Sequence, residues 1–168
     1  MKLVFTLFLL FPLFVSSQIE VGEIDPKFQK MLERKYNDFE LISPIIAEGK
    51  LSQSTIFLDT RTKEEYERSH IPGAVFVDYN NFKVAQIDSI SKDSEIIVYC
   101  SIGVRSQDIG KQLKEMGYSD VKNLYGGIFL WANQSRKMVD NNNISTDKVH
   151  GYNKYWGRWV DDEVVVFE

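Results

Sequence analysis

Apolar positions along this chain fall into blocks that switch between a helical period and short unbroken runs. Phe28, Met31, Leu32 and Tyr36 recur at helical spacing behind Asp25-Pro26. An aspartate N-cap followed by proline at the first helical position predicts a helix through about Asn37. Residues 39–42 form a strand-like run, and Ser43-Pro44 opens a second, brief helix that ends near Gly49. Residues 55–59 predict a strand running into Thr60-Arg61, after which Thr62 caps a charged helix, Lys63–Arg68. His70-Ile71-Pro72-Gly73 breaks that helix, residues 74–77 read as a strand, and residues 80–87 as a further helix. Glu95–Tyr99 is the central apolar strand. A helix over 107–116 closed by Gly117, a strand over 121–124 and a helix over 128–133 behind Gly126-Gly127 complete the pattern. Short strands alternating with helices predict an α/β domain, with a mainly parallel sheet covered by helices on both faces.

Both ends of the chain depart from this alternation. Met1-Lys2 precedes a nearly unbroken apolar run over 3–15, followed by Ser16-Ser17-Gln18. That order predicts a secretory signal peptide over residues 1–17. The run is shorter than the roughly 20 apolar residues of a spanning helix, so a retained anchor is the alternative reading. The mature protein is then expected to be exported, periplasmic or secreted, with no stable membrane anchor after cleavage. Residues 18–38 form an N-terminal helical extension, 39–134 the α/β domain and 135–168 a C-terminal extension. In that last segment Asn141-Asn142-Asn143 reads as an exposed loop. Tyr152, Tyr155, Trp156 and Trp159 crowd the stretch before a strand-like end over 163–167. These aromatics either pack onto the domain, cover a site or form a partner surface.

Charge and cysteine content narrow the chemistry. The 168 residues suit one domain, and 20 Lys and Arg against 24 Asp and Glu leave a net charge of −4. No basic stripe points to nucleic acid, and an anionic substrate must be attracted locally. The single cysteine, Cys100, has no disulfide partner within the chain. It closes the central strand and opens a glycine-containing loop, Cys100-Ser101-Ile102-Gly103-Val104-Arg105, ahead of a helix. Backbone N–H groups and a helix N-terminus converge at such a position, and both favour a thiolate or a sulfur anion built on it. A buried, inert core cysteine is the competing reading. One cysteine and two histidines make a poor metal site, so no metal or cofactor is expected.

Three motifs together resemble the rhodanese-like domain family. Leu58-Asp59-Thr60-Arg61, Glu65-Tyr66 and His70-Ile71-Pro72-Gly73-Ala74 are similar to its first signature. Val98-Tyr99-Cys100, Gly103 and Arg105-Ser106 resemble its active-site loop, and Leu124-Tyr125-Gly126-Gly127-Ile128 with Trp131 its closing motif. The resemblance implies a rhodanese-like fold over 39–134 and transfer of sulfane sulfur through a persulfide on Cys100. It implies a small sulfur-containing anion as donor and a thiol or cyanide as acceptor.

On this resemblance, Cys100 is the nucleophile. Backbone N–H groups of Ser101, Ile102, Gly103, Val104 and Arg105 cradle the anion, and Gly103 permits the tight turn. The planar fork of Arg105 is placed to bind the oxyanion end of a donor. Asp59 and Arg61 either hold loops together or support the site, His70 ties down the Pro72-Gly73 turn, and Trp131 belongs to the core. Cysteine phosphatases and arsenate reductases place arginine six positions after the cysteine. Here that position is Ser106 and the arginine comes one earlier, which suits a sulfur atom better than a phosphate. The resemblance leaves the donor as thiosulfate or a persulfide or polysulfide; rhodaneses that use thiosulfate well tend to carry a cation where this chain has Ile102, which favours the latter. The competing class is a non-catalytic rhodanese-fold module that binds a partner or senses oxidants through its thiol.

Overall fold

The computed structural model describes residues 20–36 and 39–167, so the expected signal peptide over 1–17 lies outside the described residues. In chain order the α/β portion runs α1 (Pro26–Glu33), β1 (Leu41–Ile42), α2 (Pro44–Glu48), β2 (Ile56–Asp59), α3 (Lys63–Arg68) and β3 (Val75–Phe76). It continues with β4 (Glu95–Tyr99), α4 (Val104–Glu115), β5 (Asp120–Leu124) and α5 (Gly127–Asn133). The five strands form one sheet in the order β1-β5-β4-β2-β3. Every neighbouring pair in it is parallel. The sheet is therefore wholly rather than mainly parallel.

β4 lies at the centre and shows why both faces are covered. Its side chains alternate: Ile97 and Tyr99 join a core with Phe28 and Leu32 of α1 and Ile128 and Trp131 of α5. Ile96 and Val98 join a second core with Ile109 and Leu113 of α4. All four strand residues are fully buried, and each such side chain contributes roughly 1.5–3 kcal/mol. A strand hydrophobic on both faces must be sandwiched, which is how a parallel sheet reads in sequence.

Local signals fix the helix starts. Asp25 accepts from the N–H groups of Lys27 and Phe28, and Ser43 from that of Ile46. Thr62 and Glu65 form a reciprocal capping box on α3. Helix α1 ends at Glu33, short of the expected Asn37, which lies outside the described residues. Helix α4 begins three residues before the expected 107, directly after the cysteine loop. The helix expected over 80–87 is instead two 3₁₀ turns, Tyr79–Asn81 and Val84–Gln86. Asp78, at φ +37°, draws the Asn80 N–H onto its own carboxylate, and Gln86 reaches back to the Lys83 N–H. These local bonds compete with a continuous helical ladder and win.

The C-terminal extension carries β6 (Met138–Val139) paired with β7 (Ser145–Thr146), then β8 (Val149–His150), α6 (Lys154–Gly157) and β9 (Val165–Val166). β9 pairs with β8 in parallel, so the expected terminal strand exists but is short. Trp159 stacks on Phe28 with ring centroids 5.5 Å apart, tying this extension to the N-terminal one. Trp131 is buried in the core as expected, its Nε1 donating to the Lys137 carbonyl at 3.0 Å.

Candidate active site

Cys100 follows the last residue of β4, at the carboxyl edge of the sheet's middle strand, where ligands bind in open parallel sheets. Three successive carbonyls of its loop are tied to other elements. Cys100 and Ser101 accept from the Ile128 and Phe129 N–H groups of α5 at 2.9 and 3.0 Å. Ile102 accepts from the Tyr36 hydroxyl at 2.8 Å. In a planar trans peptide the N–H points opposite to the carbonyl. Holding those carbonyls therefore turns the N–H groups of Ser101, Ile102 and Gly103 the other way. The Gly103 N–H lands on the Cys100 sulfur at 3.2 Å.

Glycine is required where the turn closes. Gly103 sits at φ +90°, and a Cβ there would meet the Tyr36 hydroxyl at 2.7 Å. That hydroxyl also accepts the Gly126 N–H at 2.6 Å, so one tyrosine from the N-terminal extension joins the cysteine loop to the closing turn. Burial pushes the Tyr36 phenol well above its ordinary pKa, which keeps it protonated and able to donate. From below, Asn123 of β5 donates to the Gly103 carbonyl at 2.8 Å and accepts from Ser106 at 2.7 Å. Neither Tyr36 nor Asn123 stood out in the sequence. Tyr36 read as one member of an apolar stripe, and Asn123 as an unremarked strand position.

The charged groups are arranged differently from the sequence expectation. Arg105 aims its fork at Glu65 of α3, with Nη1 3.0 Å from Oε2 and Nη2 2.9 Å from Oε1. Nη2 also reaches the Ser101 hydroxyl at 2.8 Å, and that hydroxyl donates to Glu65 at 2.8 Å. The fork expected to grip a donor is thus already occupied. Burial favours a neutral Glu65, but the bonds from Arg105 outweigh it and hold the carboxyl below its usual range. Burial likewise works against the Arg105 charge, while nearby Cys100 and then Glu65 reverse the balance and raise its pKa. Arg105 therefore stands as a permanent cation beside the sulfur rather than as a free clamp. In the sequence Glu65 stood as a residue of the charged helix and of the first family signature, neither of which shows that it pairs with Arg105.

Asp59 and Arg61 lie deeper. Both are fully buried, paired at 2.6 Å, and absent from the residues that line the pocket over Cys100. Arg61 also donates to the Ser69 carbonyl, so this pair holds loops together. His70 stacks on Tyr66 with centroids 3.9 Å apart, and its Nδ1 lies 3.0 Å from the Tyr66 carbonyl. Its backbone bridges to Val139, and it is not among the residues lining the pocket over Cys100.

A cavity of about 240 Å³ opens over the cysteine. Cys100, Ser101, Ile102, Val104 and Arg105 line it, and Gly103 reaches it through its N–H on the Cys100 sulfur. The remaining wall is Lys35 from the N-terminal extension with Tyr152 and Trp156 from the C-terminal one. Cys100 is only 1% exposed. Part of the aromatic segment covers the site, then, while Trp159 packs onto the body. Among the described residues, no three His, Cys, Asp or Glu side chains group as a metal site requires.

The family model for the rhodanese-like domain matches residues 43–134, and the chain belongs to that family. A tRNA uridine(34) hydroxylase of Streptococcus suis is 30% identical over 145 residues, 70% of this chain and 44% of the relative. The same-named protein of Streptococcus sanguinis is 37% identical over 86 residues, 48% of this chain and 26% of its own. The chain thus spans less than half the length of the curated relatives it matches. Among solved structures, the BH2092 protein of Bacillus halodurans superposes with a TM-score of 0.55 at 21% identity, covering 70% of this chain and 84% of that one. A thiosulfate sulfurtransferase of Pseudomonas aeruginosa superposes with a TM-score of 0.56 at 20% identity, covering 70% and 23%. These two likenesses establish the shared rhodanese-like α/β fold.

Proposed function

We propose that this protein is a sulfurtransferase that carries sulfane sulfur as a persulfide on Cys100. The observation behind this reading is the Gly103 N–H held on the Cys100 sulfur, which lines a partly open pocket. An anion on that atom is met by an oriented amide, the N-terminus of α4 and the fixed charge of Arg105. The Cys100 thiolate attacks the outer sulfur of the donor. A bond to that sulfur forms as the donor's S–S bond breaks, and the donor's remaining fragment leaves with the electron pair. An acceptor thiolate, or cyanide, then attacks the terminal sulfur of the persulfide and returns Cys100 as a thiolate. No redox partner is needed, because sulfur moves at constant total oxidation state.

Hydroxylation of a tRNA uridine is the activity named for relatives more than twice the length of the matched stretch. The net charge of −4 gives this chain no electrostatic footprint for RNA. We take the shared part to be the cysteine loop rather than the tRNA substrate. We further propose export, resting on the charged and apolar order of residues 1–17.

Intact-mass spectrometry after exposure to polysulfide tests the reading. The wild type is expected to gain one sulfur on Cys100 and to lose it to cyanide as thiocyanate, and Cys100→Ala to do neither. A thiol that takes up no sulfur would favour the non-catalytic module. New hydroxyuridine in tRNA incubated with the protein would favour the relatives' chemistry.

A further inference from the structure

The pocket over Cys100 is not built by the rhodanese-like domain alone. Residues from both extensions, Lys35, Tyr152 and Trp156, complete it, and all three lie outside the stretch matched by the family. Tyr152 and Trp156 flank the start of α6, and the segment that carries them is fixed at both ends. The Gly151 N–H donates to the Val166 carbonyl of β9 at 2.8 Å. Asn133 of α5 donates to the Trp159 carbonyl at 2.9 Å and accepts from the Asp161 N–H at 3.1 Å. Between these ties Asn153 caps α6 by accepting from the N–H groups of Tyr155 and Trp156. Tyr152 is held at φ +64°, a conformation a bulky residue adopts only when its surroundings enforce it. Its ring lies 5.0 Å from the Arg105 guanidinium, and the Lys35 ammonium lies 5.9 Å from the Trp156 ring centroid.

Two features of this cover bear on what it admits. The interior is mainly apolar, walled by Ile102, Val104, Tyr152 and Trp156, and its one guanidinium is already matched to Glu65. A small inorganic dianion entering there trades part of its water for apolar walls and a guanidinium already shared with Glu65, which is costly. At the rim, by contrast, Lys35 is exposed and has no carboxylate partner among the described residues. A volume of about 240 Å³ equals roughly eight water volumes at ~30 Å³ each, more than thiosulfate fills.

We propose that Lys35, Tyr152 and Trp156 select the sulfur donor, and that the donor is a small organic hydropersulfide with an apolar body and a carboxylate. This rests on the sulfur-transfer reading and deepens it. The apolar body lies against Trp156 and Ile102, the carboxylate stays in water beside Lys35, and the terminal sulfur faces Cys100. The Cys100 thiolate attacks that terminal sulfur. The new Cys–S bond forms as the donor's S–S bond breaks, the organic thiolate leaves with the electron pair, and the proton stays on the transferred sulfur.

The test measures the rate of sulfur gain at Cys100 by intact mass, with Cys100→Ala as background. The donors are 4-carboxybenzyl hydropersulfide, benzyl hydropersulfide and thiosulfate. Wild-type kcat/KM is expected to favour the carboxybenzyl donor over thiosulfate by at least about tenfold. Trp156→Ala should reduce that preference about tenfold, and Lys35→Gln should reduce the preference for carboxybenzyl over benzyl about threefold. Thermal melts of both variants show that the fold is kept, and because each result is a ratio between donors, a loss of active protein cancels. Preference for thiosulfate, or ratios that neither substitution moves, would overturn the proposal while leaving sulfur transfer intact. No sulfur on Cys100 from any donor would remove the underlying reading and this one with it.

Discussion

Asp59–Arg61 and Glu65–Arg105 are the same chemical pairing placed at two depths. In the first, both side chains are fully buried. In the second, Glu65 is buried while Arg105 keeps 22% of its side chain in contact with solvent and touches the pocket. The inner pair fastens the end of β2 to the loop at Ser69 and faces no substrate. The outer pair fastens the cysteine loop to α3 through Ser101 and leaves its positive charge beside the sulfur. What separates a structural ion pair from a site ion pair here is depth, not residue type. In sequence both arginines were candidates, and the one expected to grip the donor is instead turned toward an acid.

The largest expected effect breaks the inner pair. Arg61→Met leaves the Asp59 charge buried without its countercharge and should cost about 3–5 kcal/mol, read from urea unfolding. Adding Asp59→Leu should recover much of that loss, because a buried pair replaced by apolar groups of similar volume is often tolerated. If the double variant were as unstable as the single, the inner pair would be contributing more than charge compensation.

Breaking the outer pair should move function more than stability. Glu65→Gln is expected to cost about 1–3 kcal/mol, since Arg105 can turn to water, and to slow sulfur loading of Cys100 about 10–100-fold by loosening its loop. Glu65→Asp, which keeps the charge on a shorter arm, should recover part of the rate. A large stability loss with unchanged loading would reverse the roles assigned to the two pairs.

The smallest effect is on pH dependence. The Glu65 carboxyl is held below its usual range in the folded protein because Arg105 outweighs the cost of burial. A depressed carboxylate contributes its full stability above the unfolded value of about 4.3, and loses it as pH falls through the lower folded value. The stability gap between wild type and Glu65→Gln should therefore be constant near neutrality and narrow only in acid below that point. A gap that widened there would mean Glu65 is protonated in the folded state.

Much of the architecture was legible residue by residue. The strand Glu95–Tyr99 and the helix Lys63–Arg68 appear with their expected bounds, because one is apolar throughout and the other opens on a strong cap. The stretch over 80–87 misled because its apolar spacing resembles a helix, while its asparagines and Asp78 bond locally instead. The position of Cys100 and the turn at Gly103 were readable from the strand-loop-helix order alone. Glu65, Tyr36 and Asn123 were not, since each reaches the cysteine loop only through folding: Glu65 meets Ser101 across 36 residues of chain, and Tyr36 meets Ile102 across 66.

The parallel sheet, its double-sided core and the thiol at a strand end were readable from residue order and spacing. Those features depend on period and local backbone preference, which act over a few residues. Where Arg105 points, which tyrosine pins the loop and what walls the pocket emerge only once the chain is folded. Each of these depends on partners brought together from distant parts of the chain, and their choice is made by burial and distance rather than by neighbourhood in sequence. Lys35 and Trp156 meet across the mouth of the Cys100 pocket for that reason alone.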